Sequence, residues 1–448
     1  MKKNLIFGFL TVLTVAIACS SQSKKTERSP SSAGLEDEIQ MDLNQMKAEA
    51  FSRCQGSYRP PVTEKIPILD PPADGGPEAE GMVFQEELSV RTSNFLDRDG
   101  FYVQPRPRAA VNSIPMDIFV ESDQPGVYER KTWEDANPDY SNGTIVPPIQ
   151  RSQIPPAGRV LTEVIIGHKA PDGGYPQLFD LRSSGYVRFA GYPPQITGAS
   201  MRVATHRIFS LGATSTEKAP EDFPVIRALF LKIKNTKTVH AFALVESDLF
   251  CGALSLDMNE GKDADLVVDS YWYTRRDFVW KKDPHTGLIA YSSMQFKTEK
   301  HTPNRISDEA HDSDVMVVTH GDGKTKRYLL DPPPKGLKVQ DLTEKDGGVS
   351  PKEWILANED RNPSHYADFK PALGNTNYDL RASYKVTILE SNVKTGVSLY
   401  QHSPDGEYGD NIVAVSTLRQ DFRKATSVDQ AVHFKYRTTA FFPTWPVR

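Results

Sequence analysis

The stretch RISDEAHDSDVMVVTHGDG, Arg305 to Gly323, sets five acidic residues and two histidines around the apolar run VMVV. In an extended backbone side chains alternate between faces, so Asp312 and Asp314 share one face and His311 takes the other. Two carboxyls on one face raise each other's pKa, which suits a proton donor working near neutral pH. VMVV, entering a core directly behind them, would hold such an acid rigid. Three uses fit these residues: a solvated acidic loop before a strand, a cation site, or the acid of a hydrolytic enzyme. Glu309, His311, Asp312 and Asp314, with His320 nearby, offer oxygen-rich ligands that suit calcium. They lack the EF-hand, HExxH or Cys–His spacing that would make a metal site specific. Glycoside hydrolysis with inversion needs one carboxylic acid to protonate the leaving oxygen. It also needs one carboxylate to activate water, typically about 6.5–9.5 Å away. No GxSxG elbow and no glycine-rich phosphate loop compete with these readings.

The elements that must position such groups are mostly strands. FVESD, RVLTEVIIGH, YVRFAGY, RALFLKIK, VHAFALVES, DADLVVDSYWY, VMVVTH, SYKVTILES and NIVAVSTL are β-branched or alternating, with turn residues between them. Thirty-three prolines and twenty-nine glycines in 448 residues also favour strands and turns over long helices. The expected fold is all-β, a large sandwich or barrel. LEDEIQMDLNQMKAEAF repeats apolar residues at near-helical spacing from Leu35 through Ile39, Leu43 and Met46 to Ala50, which predicts one amphipathic helix packed on the domain behind it. WILANEDRN is expected to hold a short helical turn. Residues 59–81 are rich in proline and glycine and read as extended loop. A formal charge of −5 leaves no basic footprint, so nucleic acid is excluded as a partner.

A further pattern lies between Tyr175 and Thr417, where GYVRFAG, GASMRVATHRIF, EDFP, YTRR, YSSM, EAHDSD, GDG, YDLRASYKV and GDNIVA come in order. This succession resembles the periplasmic glucan biosynthesis proteins G and D, which act on osmoregulated periplasmic glucans. The resemblance implies a β-sandwich of the galactose-mutarotase-like supersandwich type, spanning residues 149–448. Residues 35–148 would be an N-terminal extension and the first part of the β domain. It implies a long groove for a β-1,2-glucan and inverting endo-glucanase chemistry that needs no metal or organic cofactor. The aspartate of the family's HDS motif matches Asp312 as general acid. The acid before the Phe-Pro pair matches Asp222 as activator of water. By itself Asp222 is a lone acid in a turn before FPVIRALFLKIK, of the kind that caps a helix or turn. Glu309, His311, Asp314, Arg361, Tyr366 and Tyr186 are the expected sugar contacts, and Arg275 also matches a family arginine. Phe189, Tyr192, Tyr271, Trp272, Tyr273 and Trp354 are further aromatic faces, although an aromatic in a strand is more often core than sugar platform. Several segments depart from the family pattern. A tryptophan-bearing stretch after the G-x-G turn is replaced by KTKRYLLDPP, and a phenylalanine-rich stretch after the SM pair by QFKTEK. The first 150 residues match poorly, and the immunoglobulin-like domain C-terminal to the family's sandwich is expected to be absent. A glucan-binding protein without catalysis is the alternative reading.

The N-terminus reads as an export signal. MKKN is cationic, and LIFGFLTVLTVAIA, Leu5 to Ala18, is an apolar run too short to span a bilayer comfortably. It ends in small residues before Cys19, like a bacterial lipoprotein box. Residues 1–18 would be removed and Cys19 acylated, with residues 19–34 as a flexible tether. The anchor is then lipid alone, and Ser20 and Ser21 lack an acidic retention signal, which points to the periplasmic face of the outer membrane. Cys54 and Cys251 remain, an even pair in an oxidising compartment, to be read as a disulfide or as two thiols. Replacing Cys19 by Ala should release the protein from the membrane fraction and abolish incorporation of labelled fatty acid. Unchanged membrane association of the variant would refute the anchor.

Overall fold

A computed structural model describes residues 38–59, 94–106, 115–132, 135, 161–168, 177–183, 186–189, 199–202, 225–260, 264–277, 288–294, 315–330, 336–357, 383–403 and 411–441. In chain order the first elements are β1 (Glu38–Gln40), α1 (Leu43–Gln55), β2 (Leu96–Arg98), β3 (Phe101–Arg106), β4 (Asp117–Glu121) and β5 (Val127–Lys131). Next come β6 (Glu163–His168), β7 (Gln177–Arg182), β8 (Tyr186–Phe189), β9 (Ala199–Arg202), β10 (Val225–Asn235), β11 (Thr238–Glu246) and β12 (Phe250–Asn259). After them come β13 (Ala264–Thr274), β14 (Leu288–Met294), β15 (Val315–His320), β16 (Thr325–Leu329), β17 (Gly336–Asp341), α2 (Leu342–Lys345) and β18 (Pro351–Ala357). The last are β19 (Ser383–Ser391), β20 (Thr395–Ser403), β21 (Asn411–Leu418) and β22 (Val432–Phe441).

The strands form two sheets. One has twelve strands in the order β1-β5-β4-β10-β11-β12-β13-β22-β19-β18-β15-β16, and the other ten, in the order β17-β20-β21-β14-β9-β8-β7-β6-β3-β2. Among the described residues one pairing, β4 with β10, is parallel; the rest are antiparallel, as short turns between alternating strands dictate. The β10–β11 turn shows the local chemistry: Asn235 Oδ1 accepts from Lys237 N at 2.8 Å, an Asx turn. The main core lies between the sheets. Val103, Ile166, Phe179, Leu181, Val397 and Leu399 from the ten-stranded sheet meet Leu229, Leu254, Leu256, Met316, Trp354 and Phe434 from the twelve-stranded one. Trp354 Nε1 donates to Ser416 Oγ at 2.9 Å, joining β18 to β21 across that core.

A second, smaller core lies on the other face of the twelve-stranded sheet. There α1 lays Met46, Ala50 and Cys54, one turn apart, against Phe230, Phe242, Leu244, Cys251, Ala253 and Tyr273. This explains why all nine residues of β11 are buried where one buried face would leave an alternating pattern. The helix starts later than its periodicity predicts. Asp42 caps it, accepting from Gln45 N at 2.8 Å, and Glu38–Gln40 pair with β5 as a strand. WILA is likewise strand and not helical turn. Trp354 and Leu356 alternate into the core while the backbone pairs with β15 on one side and β19 on the other. The central strands β12 and β22 of the large sheet lie outside those expected from sequence, and so do β7, β9, β14 and β20 inside the smaller one. In FCGALSLDMN, Gly, Asp and Asn lower the strand propensity, and ladders on both sides supply what the sequence lacks.

A close approach in the smaller sheet makes a specific demand on sequence. Arg419, almost fully buried, donates from Nη2 to Asp341 Oδ1 at 2.6 Å and lies flat over Gly396, where a Cβ would fall 1.8 Å from its Nε. Gly396→Ala should therefore push Arg419 off Asp341 and cost about 1–3 kcal/mol, the usual range for overpacking. A denaturant midpoint equal to that of the wild type would show that Arg419 has room to move.

Candidate functional site

Asp222, Glu309, His311, Asp312, Asp314, Arg361, Tyr366 and Cys19 lie outside the described residues, and so do Tyr192 and the tether. The framework that carries them is described. The chain passes from the ten-stranded to the twelve-stranded sheet twice in this region, from β9 to β10 through residues 203–224 and from β14 to β15 through residues 295–314. Asp222 falls in the first crossover and Asp312 in the second. The crossovers leave from hydrogen-bonded neighbours: Arg202, last in β9, pairs with Tyr291, and Met294, last in β14, pairs with Ala199. Three residues of strand separate those exits, about 10 Å. Tyr186, first in β8, pairs with Arg202 and so belongs to the same row.

The entry points are farther apart. β10 stands fourth and β15 eleventh in the large sheet, and every pairing between them is antiparallel, so their first residues lie on opposite edges of the ladder. Seven strand spacings of about 4.8 Å amount to roughly 34 Å along the sheet.

Where β10 begins, a charged cluster closes the open end of the outer core. Val225 pairs with Glu246, whose carboxylate meets Arg227 Nε at 3.0 Å, Arg275 Nη2 at 3.5 Å and Arg53 Nη1 at 3.7 Å. Arg275 also donates from Nη1 to the carbonyls of Arg53 at 2.6 Å and Gly56 at 2.7 Å, satisfying acceptors that the end of α1 leaves open. Tyr58 lies against both the Arg227 and Arg275 guanidinium groups. Beside them Asp117 accepts from Arg130 Nη2 at 2.6 Å. Burial pushes the Asp117 carboxyl up, and the pull of Arg130 only partly offsets it. Arg275, a match to a family arginine, is thus a clamp on α1.

Where β15 ends, a second polar node holds its hairpin. The Asp346 side chain is 1% exposed and receives His320 Nε2 at 2.8 Å, Lys326 Nζ at 2.8 Å and the Tyr328 hydroxyl. The other ring nitrogen, His320 Nδ1, faces the Val349 carbonyl at 3.0 Å. Burial works to raise the Asp346 carboxyl, but the hydrogen bonds from Lys326, Tyr328 and His320 together outweigh it and hold the group below the usual aspartate range. Burial and then the neighbouring Asp346 carboxylate push the Tyr328 phenol up. Lys326 and Tyr328 belong to KTKRYLLDPP, the stretch that departs from the family pattern. The node escapes sequence reasoning because its members are spread from 320 to 346, although HGDG, with Gly323 at φ +82°, does announce the turn.

The aromatic residues divide differently from the expectation. Trp272, Tyr273 and Trp354 are 3%, 1% and 1% exposed, so they are core and not sugar platforms. Tyr271 is half-buried, with its ring stacked on His433 at 4.6 Å and Lys47 4.6 Å from its centre. Among the described residues no group of three His, Cys, Asp or Glu could hold a metal ion, and none of their helices is long and apolar enough to cross a membrane. The acidic stretch 308–314 lies outside them.

Fold and framework together define an all-β sandwich protein. The chain belongs to the periplasmic glucan biosynthesis protein family, MdoG, whose model matches residues 205–444, more than half of it. It is 27% identical to glucans biosynthesis protein D 2 of Ralstonia nicotianae over 200 residues, 44% of this chain and 34% of that one. It is 24% identical to glucans biosynthesis protein G of a Shewanella species, strain ANA-3, over 301 residues, 63% of this chain and 50% of that one. The chain thus spans half or less of these relatives' length. A galactose mutarotase related enzyme from Lactobacillus acidophilus aligns with 62% of this chain and 94% of its own at 9% identity and a TM-score of 0.25. At that score the fold assignment rests on the chain's own two sheets.

Asp346 makes the hairpin pH-sensitive in a defined direction. Its folded-state pKa is lowered, so its contribution is complete above the unfolded value of about 4 and is lost as pH falls through the folded value. Asp346→Asn should cost about 1–3 kcal/mol at neutral pH and flatten the acid limb of the stability curve. Stability measured against pH for both proteins checks this; parallel curves below pH 4 would remove Asp346 from the account.

Proposed function

We propose that this protein cleaves a β-1,2-linked glucan within the periplasm, with inversion at the anomeric carbon. Membership of the periplasmic glucan biosynthesis family supports the compartment and the class of substrate. The observation that carries this reading is the family match over residues 205–444, which takes in both Asp222 and Asp312, each three residues before a strand of the large sheet. In this reading Asp312 protonates the glycosidic oxygen, and Asp222 draws a proton from the water that attacks from the opposite face. Asp314 raises the pKa of Asp312 and keeps it protonated at neutral pH. Glu309, His311, Arg361, Tyr366 and Tyr186 hold the sugar rings. The exported protein is held at the membrane by lipid on Cys19.

The burial of Trp272, Tyr273 and Trp354 favours a second reading, since it removes three aromatic faces from any groove. In that reading the same groove binds glucan without cleaving it. Linear β-1,2-glucan incubated with the purified protein separates the two readings: oligosaccharide products with inverted anomeric configuration, detected by NMR, support hydrolysis, and binding without products supports the second.

Asp312→Asn keeps the side chain's shape but cannot donate a proton. Cleavage should fall by about 10²–10⁴-fold, the usual worth of a general acid, while glucan binding survives. Asp314→Asn should shift the pH optimum and retain most activity. Undiminished cleavage by Asp312→Asn would rule out the assignment.

A further inference from the structure

We propose that Cys54 and Cys251 are joined by a disulfide in the exported protein, fastening α1 covalently to β12. Both thiols are reduced in the structure, and both are buried, at 1% and 0% exposure. They belong to one apolar cluster between the helix and the outer face of the large sheet. Cys54 Sγ donates to the Tyr273 carbonyl at 3.2 Å, and Tyr273 is the cross-strand partner of Cys251. Two buried thiols in one cluster, one of them bonded to the strand partner of the other, stand where side-chain rotations can close a disulfide.

The chemistry is thiol–disulfide exchange with a disulfide oxidant, carried by a protein or a small molecule. One cysteine thiolate attacks the oxidant, forming a mixed disulfide and releasing one thiol. The second thiolate attacks the cysteine sulfur of that mixed disulfide, forming the Sγ–Sγ bond and releasing the other thiol. Two electrons pass from the cysteines to the oxidant, and two protons end on its thiols. Burial pushes the Cys251 thiol up and closes it to solvent, so the exchange belongs to folding, before α1 settles on the sheet. Residue 54 lies C-terminal to the tether that begins at Cys19, so the bond fixes where an anchored chain leaves the sandwich. The bond rests on export and is independent of glucan cleavage.

The test is a peptide map of the full mature chain from an oxidising compartment, denatured and alkylated without reductant. The Cys54 and Cys251 peptides should appear linked, two hydrogens lighter than their sum. Reductant should lower Tm by about 2–6 °C and leave the Tm of the Cys54→Ala/Cys251→Ala double variant unmoved. A second map, on chain refolded with glutathione disulfide, separates pairing from export. Linkage on refolding alone supports the pairing and overturns only the export on which it rests. Free thiols in both preparations, or linkage to a cysteine of another chain, overturn the bond.

Discussion

Strands β10 to β13 carry apolar residues on both faces at the end that meets α1, and a stretch of sheet of that kind must be covered twice. The inner face meets the ten-stranded sheet, as in any sandwich. The outer face carries Phe230, Phe242, Leu244, Ala253 and Tyr273, which would otherwise form an exposed apolar patch. Helix α1 covers it with Met46, Ala50 and Cys54. Burying those side chains is worth about 25 cal/mol per Å² of apolar surface, which far exceeds the weak intrinsic stability of a thirteen-residue helix in water. The helix therefore exists because the sheet needs it.

The same constraint accounts for the charges at the end of that outer core. A buried carboxylate such as Glu246 costs several kcal/mol to desolvate, and a single partner seldom repays it. Here three arginines surround it, one each from α1, β10 and the residue after β13. Their guanidinium groups also reach backbone carbonyls at the end of α1 and beyond it. The network makes one fit of helix to sheet better than its alternatives, and Val225, where the crossover from β9 ends, sits within it. At the far side of the sheet Asp346 plays the corresponding part for β15, gathering His320, Lys326 and Tyr328. Each acid-bearing crossover thus ends on a strand that a buried polar node holds in place.

Departure from the family pattern has a structural meaning in one place. KTKRYLLDPP, which the sequence reading sets against a tryptophan-bearing stretch of the family, supplies the lysine and tyrosine that secure Asp346. The segment forms β16, the edge strand, with Thr325, Arg327 and Leu329 outward and Tyr328 folded over the node. A stretch that reads in sequence as the loss of a sugar contact is, in the fold, a fastening for the hairpin.

The class of fold was legible in the sequence alone. Alternating β-branched runs separated by turn residues can bury their apolar faces only in packed sheets, and nine such runs became strands. The family was legible too, because motif order survives when overall identity is low. Which apolar face meets which was not. WILA reads as a helical turn in isolation and becomes strand between β15 and β19, and β12 is held by its neighbours despite Gly, Asp and Asn. Trp272, Tyr273 and Trp354 have the composition of a sugar platform, and only packing made them core. Cys54 and Cys251 lie far apart in the chain and meet because α1 folds back on the outer sheet. Local pattern fixes what a segment buries. Long-range pairing, whose favourable contacts form only after chain entropy is lost, decides against what it is buried.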